Sequence, residues 1–119
     1  MRKLHTIQTQ AKLNNVYAVD EAGPGGANHL YMVTDLSNTN TLANIRFQTG
    51  PRTDPDSMSG VLDVDLLEIV RDRMKAFQAG EFNNEYNQRA LQCVEEALYQ
   101  MNLRVEDRLS RGVMGEMKK

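Results

Sequence analysis

The chain has 119 residues and a mass of 13.5 kDa, the length of one domain, and its 40% hydrophobic and 25% charged content is that of a folded protein, not a disordered one. Its net charge of −2, from 14 basic and 16 acidic residues, excludes a broadly basic binder of DNA or RNA polymer but leaves room for a local arginine pocket that takes a small anion. The longest apolar runs are only four residues, so no membrane span or signal peptide is expected, and the single cysteine, Cys93, excludes an internal disulfide and fits a reducing cytoplasm.

The first sixty residues hold all three prolines and read as short strands and turns. A threonine-rich stretch, His5–Leu13, carries a strand signal together with Leu4, and Val16–Val19 is short and β-prone. Residues 20–26 then break any regular element. Leu30–Thr34 predicts a strand, and Leu42–Thr49 alternates apolar and polar residues as a half-buried strand does. With the polar connector 35–40 between them, these two strands predict an antiparallel hairpin, and residues 50–60 predict a loop.

The remainder, without proline, predicts two helices. Asp63 is the expected N-cap of the first, with Leu66, Val70, Met74 and Phe77 as its apolar stripe and Gly80 as its stop. Asn83 or Asn84 should cap the second, whose stripe Leu91, Val94, Leu98, Met101, Val105 has coiled-coil spacing and which should run to about Arg111, roughly 40 Å. The short loop between the helices predicts an antiparallel pair. The expected fold is α+β: a small antiparallel sheet, then a two-helix hairpin. It is read as a single domain, in which residues 1–60 are β-rich, residues 61–113 form the hairpin and residues 114–119 are a tail. An apolar seam so long on so small a domain needs a partner, so a homo-oligomer is expected.

The catalytic inventory is thin. His5 and His29 stand apart, no His/Cys cluster has metal spacing, and Gly23–Gly26 follows no strand-to-helix unit that would cradle a dinucleotide. That glycine run is either a flexible turn or a place where backbone approaches a ligand. Cys93 reads as a packing or flank residue. Asp63/Asp65 and Glu95/Glu96 read as helix-start charge and solvated face rather than acid–base pairs. Ala90, Ala97, Arg104 and Arg111 repeat every seven residues, and Asn87 and Arg108 extend the stripe. An arginine row beside a seam suits phosphate, although pattern alone favours pairing with Glu96, Glu106 and Asp107.

Residues 23–115 resemble the first type of phage Thoeris anti-defence protein, an anti-Thoeris signal sponge. The matching pieces are Gly25-Gly26-Ala27-Asn28-His29-Leu30-Tyr31, Phe47-Gln48-Thr49-Gly50-Pro51-Arg52 and Gly60-Val61-Leu62-Asp63. Further along come Asp65–Arg73, Phe77-Gln78-Ala79-Gly80, Asn87, Ala90-Leu91, Val94–Leu98 and Arg111-Gly112-Val113. The hairpin also resembles the domain shared with the anti-CBASS sponge of cyclic dinucleotides. The resemblance implies binding without chemistry, in the host bacterial cytoplasm and without cofactor or metal. Its ligands would be glyco-cyclic ADP-ribose made by TIR-domain proteins and, in separate pockets, cyclic di- or trinucleotides. It implies dimers or hexamers with the signal between subunits. It also implies a pocket on Phe77, Asn87 and Arg104, with Arg52 a further carry-over; Arg108 and Arg111 are added from the arginine row. Where the family has a cysteine or arginine before the asparagine this chain has Tyr86, and it has Tyr99 but no tryptophan in the second helix. A homo-oligomeric adaptor for a protein partner is the other binding reading, and a nucleotide hydrolase a third.

Overall fold

The structure, a computed structural model, describes residues 1–119 as two compact units, Met1–Val61 and Leu62–Lys119. The first is a four-stranded antiparallel sheet in the order β1 (Arg2–Lys3), β2 (Asn14–Ala18), β3 (Leu30–Asp35), β4 (Thr41–Arg46). Residues directly opposite in such a sheet share a face, and here they stack apolar on apolar. Val16 stands opposite Val33, which stands opposite Ala43; Ala18, fully buried, stands opposite Tyr31, which stands opposite Ile45. Phe47 extends this face edge-on to Tyr31, with ring centres 5.6 Å apart. The fold class is therefore α+β, with the expected β3–β4 hairpin in place.

Two expectations in this unit need correction. His5–Leu13 forms no strand; the first strand is only Arg2–Lys3, too short to leave a periodic trace. The strand expected to reach Thr49 stops at Arg46, because the chain then changes partners. The Phe47 N–H still donates to the His29 carbonyl, but Gln48 N–H donates to Val61 O at 2.9 Å and Thr49 bridges to Met58. The loop so closed is laced by Gln48, whose side-chain carbonyl accepts from Arg52 Nε (2.9 Å) and Gly60 N (3.3 Å).

Two aspartates hold the turns. Asp35 accepts from Ser37 Oγ and from the backbone and side chain of Asn40, and Asn38 adopts positive φ so that its Oδ1 takes Asn15, Tyr17 and Thr34. Asp20 takes the N–H groups of His29 and Leu30 and the Asn28 amide, tying the glycine-rich loop to β3. The Asn40 amide does most to hold the Asp35 carboxyl below the ordinary aspartate range; desolvation opposes it, and backbone N–H groups reinforce it. At Asp20 desolvation pushes upward most, but the His29 and Leu30 N–H groups and Asn28 together outweigh it. A lowered native value means that the contribution to stability is complete above the ordinary range and drains away as pH falls through the native value. The thermal midpoint should fall on acidification below about pH 4, and Asp35→Asn should flatten that fall in circular dichroism. An unchanged pH slope in the variant would contradict this.

The second unit is the helical hairpin, α1 (Asp63–Ala79) and α2 (Glu85–Ser110). The N-cap of α1 is Leu62, not Asp63: the Asp65 carboxylate reaches back to the Leu62 N–H at 2.8 Å and does the capping from inside the helix. Gly80 ends α1, and Asn84 caps α2, with Oδ1 accepting from Asn87 N at 2.8 Å. Arg71 Nε pairs with Glu95 at 2.8 Å and Gln78 Nε2 meets Gln88 at 3.3 Å. These pairs lie seven residues apart on each helix, which fixes one antiparallel register.

The α2 stripe turns inward over most of its length, with Leu91 buried and Val94, Leu98 and Met101 half-buried, but its last member, Val105, is exposed. The α1 stripe does so only in part, with Leu66 and Met74 half-buried but Val70 and Phe77 exposed. The shielded positions of α1 include Val64, Leu67, Arg71, Met74 and Gln78, a spacing of three and four, whereas Ile69, Val70 and Phe77 stand exposed. The inward seam is offset because it admits two polar residues, Arg71 and Gln78, each satisfied by a partner on α2. A hairpin of two helices has only one inner seam, so the second apolar face of α1 stays in water within the single chain.

Candidate functional site

The hairpin tip is built around Gln78. Its amide donates to Asn84 O at 3.0 Å and to Gln88, and its carbonyl accepts from Asn84 N at 3.2 Å, so one side chain fastens the end of α1 to the start of α2. Phe77 precedes Gln78, and Asn87 precedes Gln88. Because the helices run opposite ways, a step back along each turns to the same side of the hairpin, so Phe77 and Asn87 share a face. Phe77 is 45% exposed, and its ring carries the Arg73 guanidinium at 5.5 Å. The Asn87 amide side chain makes no hydrogen bond, its backbone N–H alone being used by the cap. An open aromatic beside an uncommitted amide can take a flat, polar-edged ring.

The arginines divide sharply. Arg111 pairs with Asp107 at 3.0 Å and also meets the Lys119 carbonyl. Arg108 is buried and spends its donors on the tail: Nη2 on Val113 O (3.0 Å) and Glu116 O (2.7 Å), Nη1 on Lys118 O. Its charge also sits at a helix C-terminus, where the dipole favours it. Arg104 is exposed and makes no hydrogen bond or ion pair. Of the acids expected to quench the row, Asp107 takes Arg111, while Glu96 and Glu106 take Gln100 and Asn102. Arg104 lies 17 residues beyond Asn87, about 25 Å along the helix, too far for one side chain to span. The chain thus sets Phe77 and Asn87 on one face near the hairpin tip and Arg104 far along the helix. Arg52 lies in the N-terminal unit, bonded to Gln48 and to Gly60 O at 3.1 Å.

Sequence reasoning missed a groove of about 500 Å³ between α1 and α2, lined by Val64, Leu98, Tyr99, Met101 and Val105 beside the Arg71–Glu95 pair. On α1 it is lined only by Val64, Glu68 and Arg71, two of them charged, so no apolar pattern on that helix marks it. Cys93 is an exposed free thiol. No helix is long and apolar enough to cross a membrane.

The amino-acid sequence matches known proteins. The model of the family described as Acb2/Tad1, hairpin domain, matches residues 39–106. The chain belongs to that family. The protein "Thoeris anti-defense 1" of Bacillus phage SBSphiJ7 is 38% identical over 97 residues, a match covering 82% of this chain and 66% of that relative. The chain therefore spans a little under two thirds of the relative's length. In this family member the hydrogen bonds of Gln78 to Asn84 and Gln88 fasten the hairpin tip, next to Phe77 and Asn87 in sequence.

Proposed function

We propose that this protein is a phage anti-defence sponge that binds glyco-cyclic ADP-ribose and sequesters it intact, blocking Thoeris signalling in the host cell. The reading is supported by family membership and by the name of the phage relative. The observation that carries it is the division of labour on the hairpin: an exposed aromatic and a free amide on one face, and one arginine, Arg104, left without a partner where its neighbours are all engaged. In this reading Phe77 contacts the base, Asn87 bonds the base or ribose, and Arg104 pairs with the pyrophosphate. Competing with a receptor for a scarce signal demands nanomolar affinity, about −12 kcal/mol, which calls for desolvated charge pairs. Cyclic di- or trinucleotides, and with them CBASS signalling, belong to the same proposal as ligands of separate pockets. The protein acts by binding, not by catalysis. The test is to load it with the products of an activated TIR-domain protein, wash it, denature it by heat and identify the released nucleotide by mass spectrometry. An intact cyclic species supports the sponge, ordinary ADP-ribose points to hydrolysis, and no nucleotide points to the adaptor.

The pocket needs a second copy, because about 25 Å separates Asn87 from Arg104 within a chain (about 1.5 Å per residue). An antiparallel neighbour would bring its own Arg104 to this Asn87. The exposed Ile69, Val70 and Phe77 supply apolar surface for such an assembly, dimer or hexamer. Light scattering at micromolar protein should therefore return an oligomer; a monomer mass at all concentrations would contradict it.

A further inference from the structure

We propose a separate anion site in the N-terminal unit, formed by the loop between β1 and β2 and suited to a small phosphate-bearing molecule. The loop borders an open surface hollow of about 460 Å³ lined by Lys3, His5, Thr6, Thr9 and Lys12 among others. No carboxylate lines it. Residues 1–19 carry Arg2, Lys3 and Lys12 and no aspartate or glutamate at all, in a chain whose net charge is −2. The nearest acid in sequence, Asp20, is turned onto the His29 and Leu30 N–H groups. Neither lysine enters any of the ion pairs, and the Thr9 hydroxyl makes no hydrogen bond.

The loop is held in this shape by hydrogen bonds from its own backbone and side chains. Leu4 N donates to Val16 O at 2.9 Å where the strands close, Thr6 Oγ1 donates to Gln8 O at 2.8 Å, and Gln8 Nε2 donates to Gln10 O at 3.1 Å. Ala11 adopts positive φ to complete the curl. Two ammonium groups and a free hydroxyl around an acid-free hollow form a local positive field that attracts phosphate. Every residue lining the hollow belongs to the Met1–Val61 unit and none to the helical hairpin.

The test is calorimetry on the full chain with sodium pyrophosphate and, separately, with ADP at low salt. In an Arg104→Ala background, which removes the arginine of the hairpin pocket, saturable binding at one site per chain is expected, weakened at least about tenfold when Lys3→Gln and Lys12→Gln are added. ADP binding tighter than pyrophosphate would add a nucleoside contact to the site, and equal affinity would assign the site to phosphate alone; both support the proposal. Should the double variant misfold by circular dichroism, Thr9→Ala takes its place, with weakening of several-fold expected. Absence of saturable heat, binding untouched by these substitutions, or equal capture of a short DNA duplex through the same lysines would overturn it.

Discussion

Arg104→Ala is expected to weaken binding of glyco-cyclic ADP-ribose by about 2–5 kcal/mol, on the order of thirty- to several thousand-fold, while the oligomer persists. The size follows from what the substitution removes. In the free chain Arg104 has no partner, so its loss breaks no internal bond and the hairpin should fold as before. In the proposed complex it answers the pyrophosphate charge in a partly dry cleft, and removal leaves that charge uncompensated. Arg111→Ala is the contrasting variant: its guanidinium already serves Asp107, so affinity should change little. Titration calorimetry, with light scattering on the same samples, checks both. Wild-type affinity in Arg104→Ala would sink the pocket.

The largest stability effect is expected at Gly60. A Cβ there would sit 2.4 Å from the Arg46 carbonyl oxygen, 2.5 Å from the Phe47 carbonyl carbon and 2.7 Å from Gln48 N. All three are backbone atoms of the segment that changes partners from β3 to Val61, and none can swing aside as a side-chain end could. Gly60→Ala should therefore cost about 1–3 kcal/mol, at the upper end of overpacking. Gly80→Ala supplies the scale: its Cβ would meet only ordinary contacts at 3.7 Å, and a cost below about 1 kcal/mol is expected. Thermal unfolding of the two variants side by side decides the matter. Equal midpoints would mean that the crossing backbones are looser than these distances imply.

The helix boundaries were legible wherever a side chain speaks to its own neighbours. Gly80 and Asn84 act within a few residues of themselves, and both appear where the sequence puts them. Legibility failed where the deciding group was distant or was backbone. Asp65 caps from inside the helix, so the residue that looked like a cap, Asp63, is not one. The inward seam of α1 carries Arg71 and Gln78, which look like surface until Glu95 and Gln88 are set against them. The carry-over to Phe77 and Asn87 rested on spacing around a turn, and the turn proved to be held by Gln78, a residue quoted in the Phe77–Gly80 match without any role. Arg108 looked like a free member of an arginine row because its partners are carbonyl oxygens, which leave no signature in a sequence.

Those carbonyls carry a consequence for the tail. Arg108 grips Val113, Glu116 and Lys118 by oxygens that every residue possesses, whatever its side chain. The grip measures spacing and is blind to spelling. Residues 113–118 can exchange most of their side chains without loosening it, but one residue inserted or deleted between Ser110 and Glu116 would carry the oxygens out of reach. The tail is thus constrained in spacing and, apart from the positive-φ Gly112 and Gly115, free in composition, which leaves its outer surface open to drift while its path stays fixed.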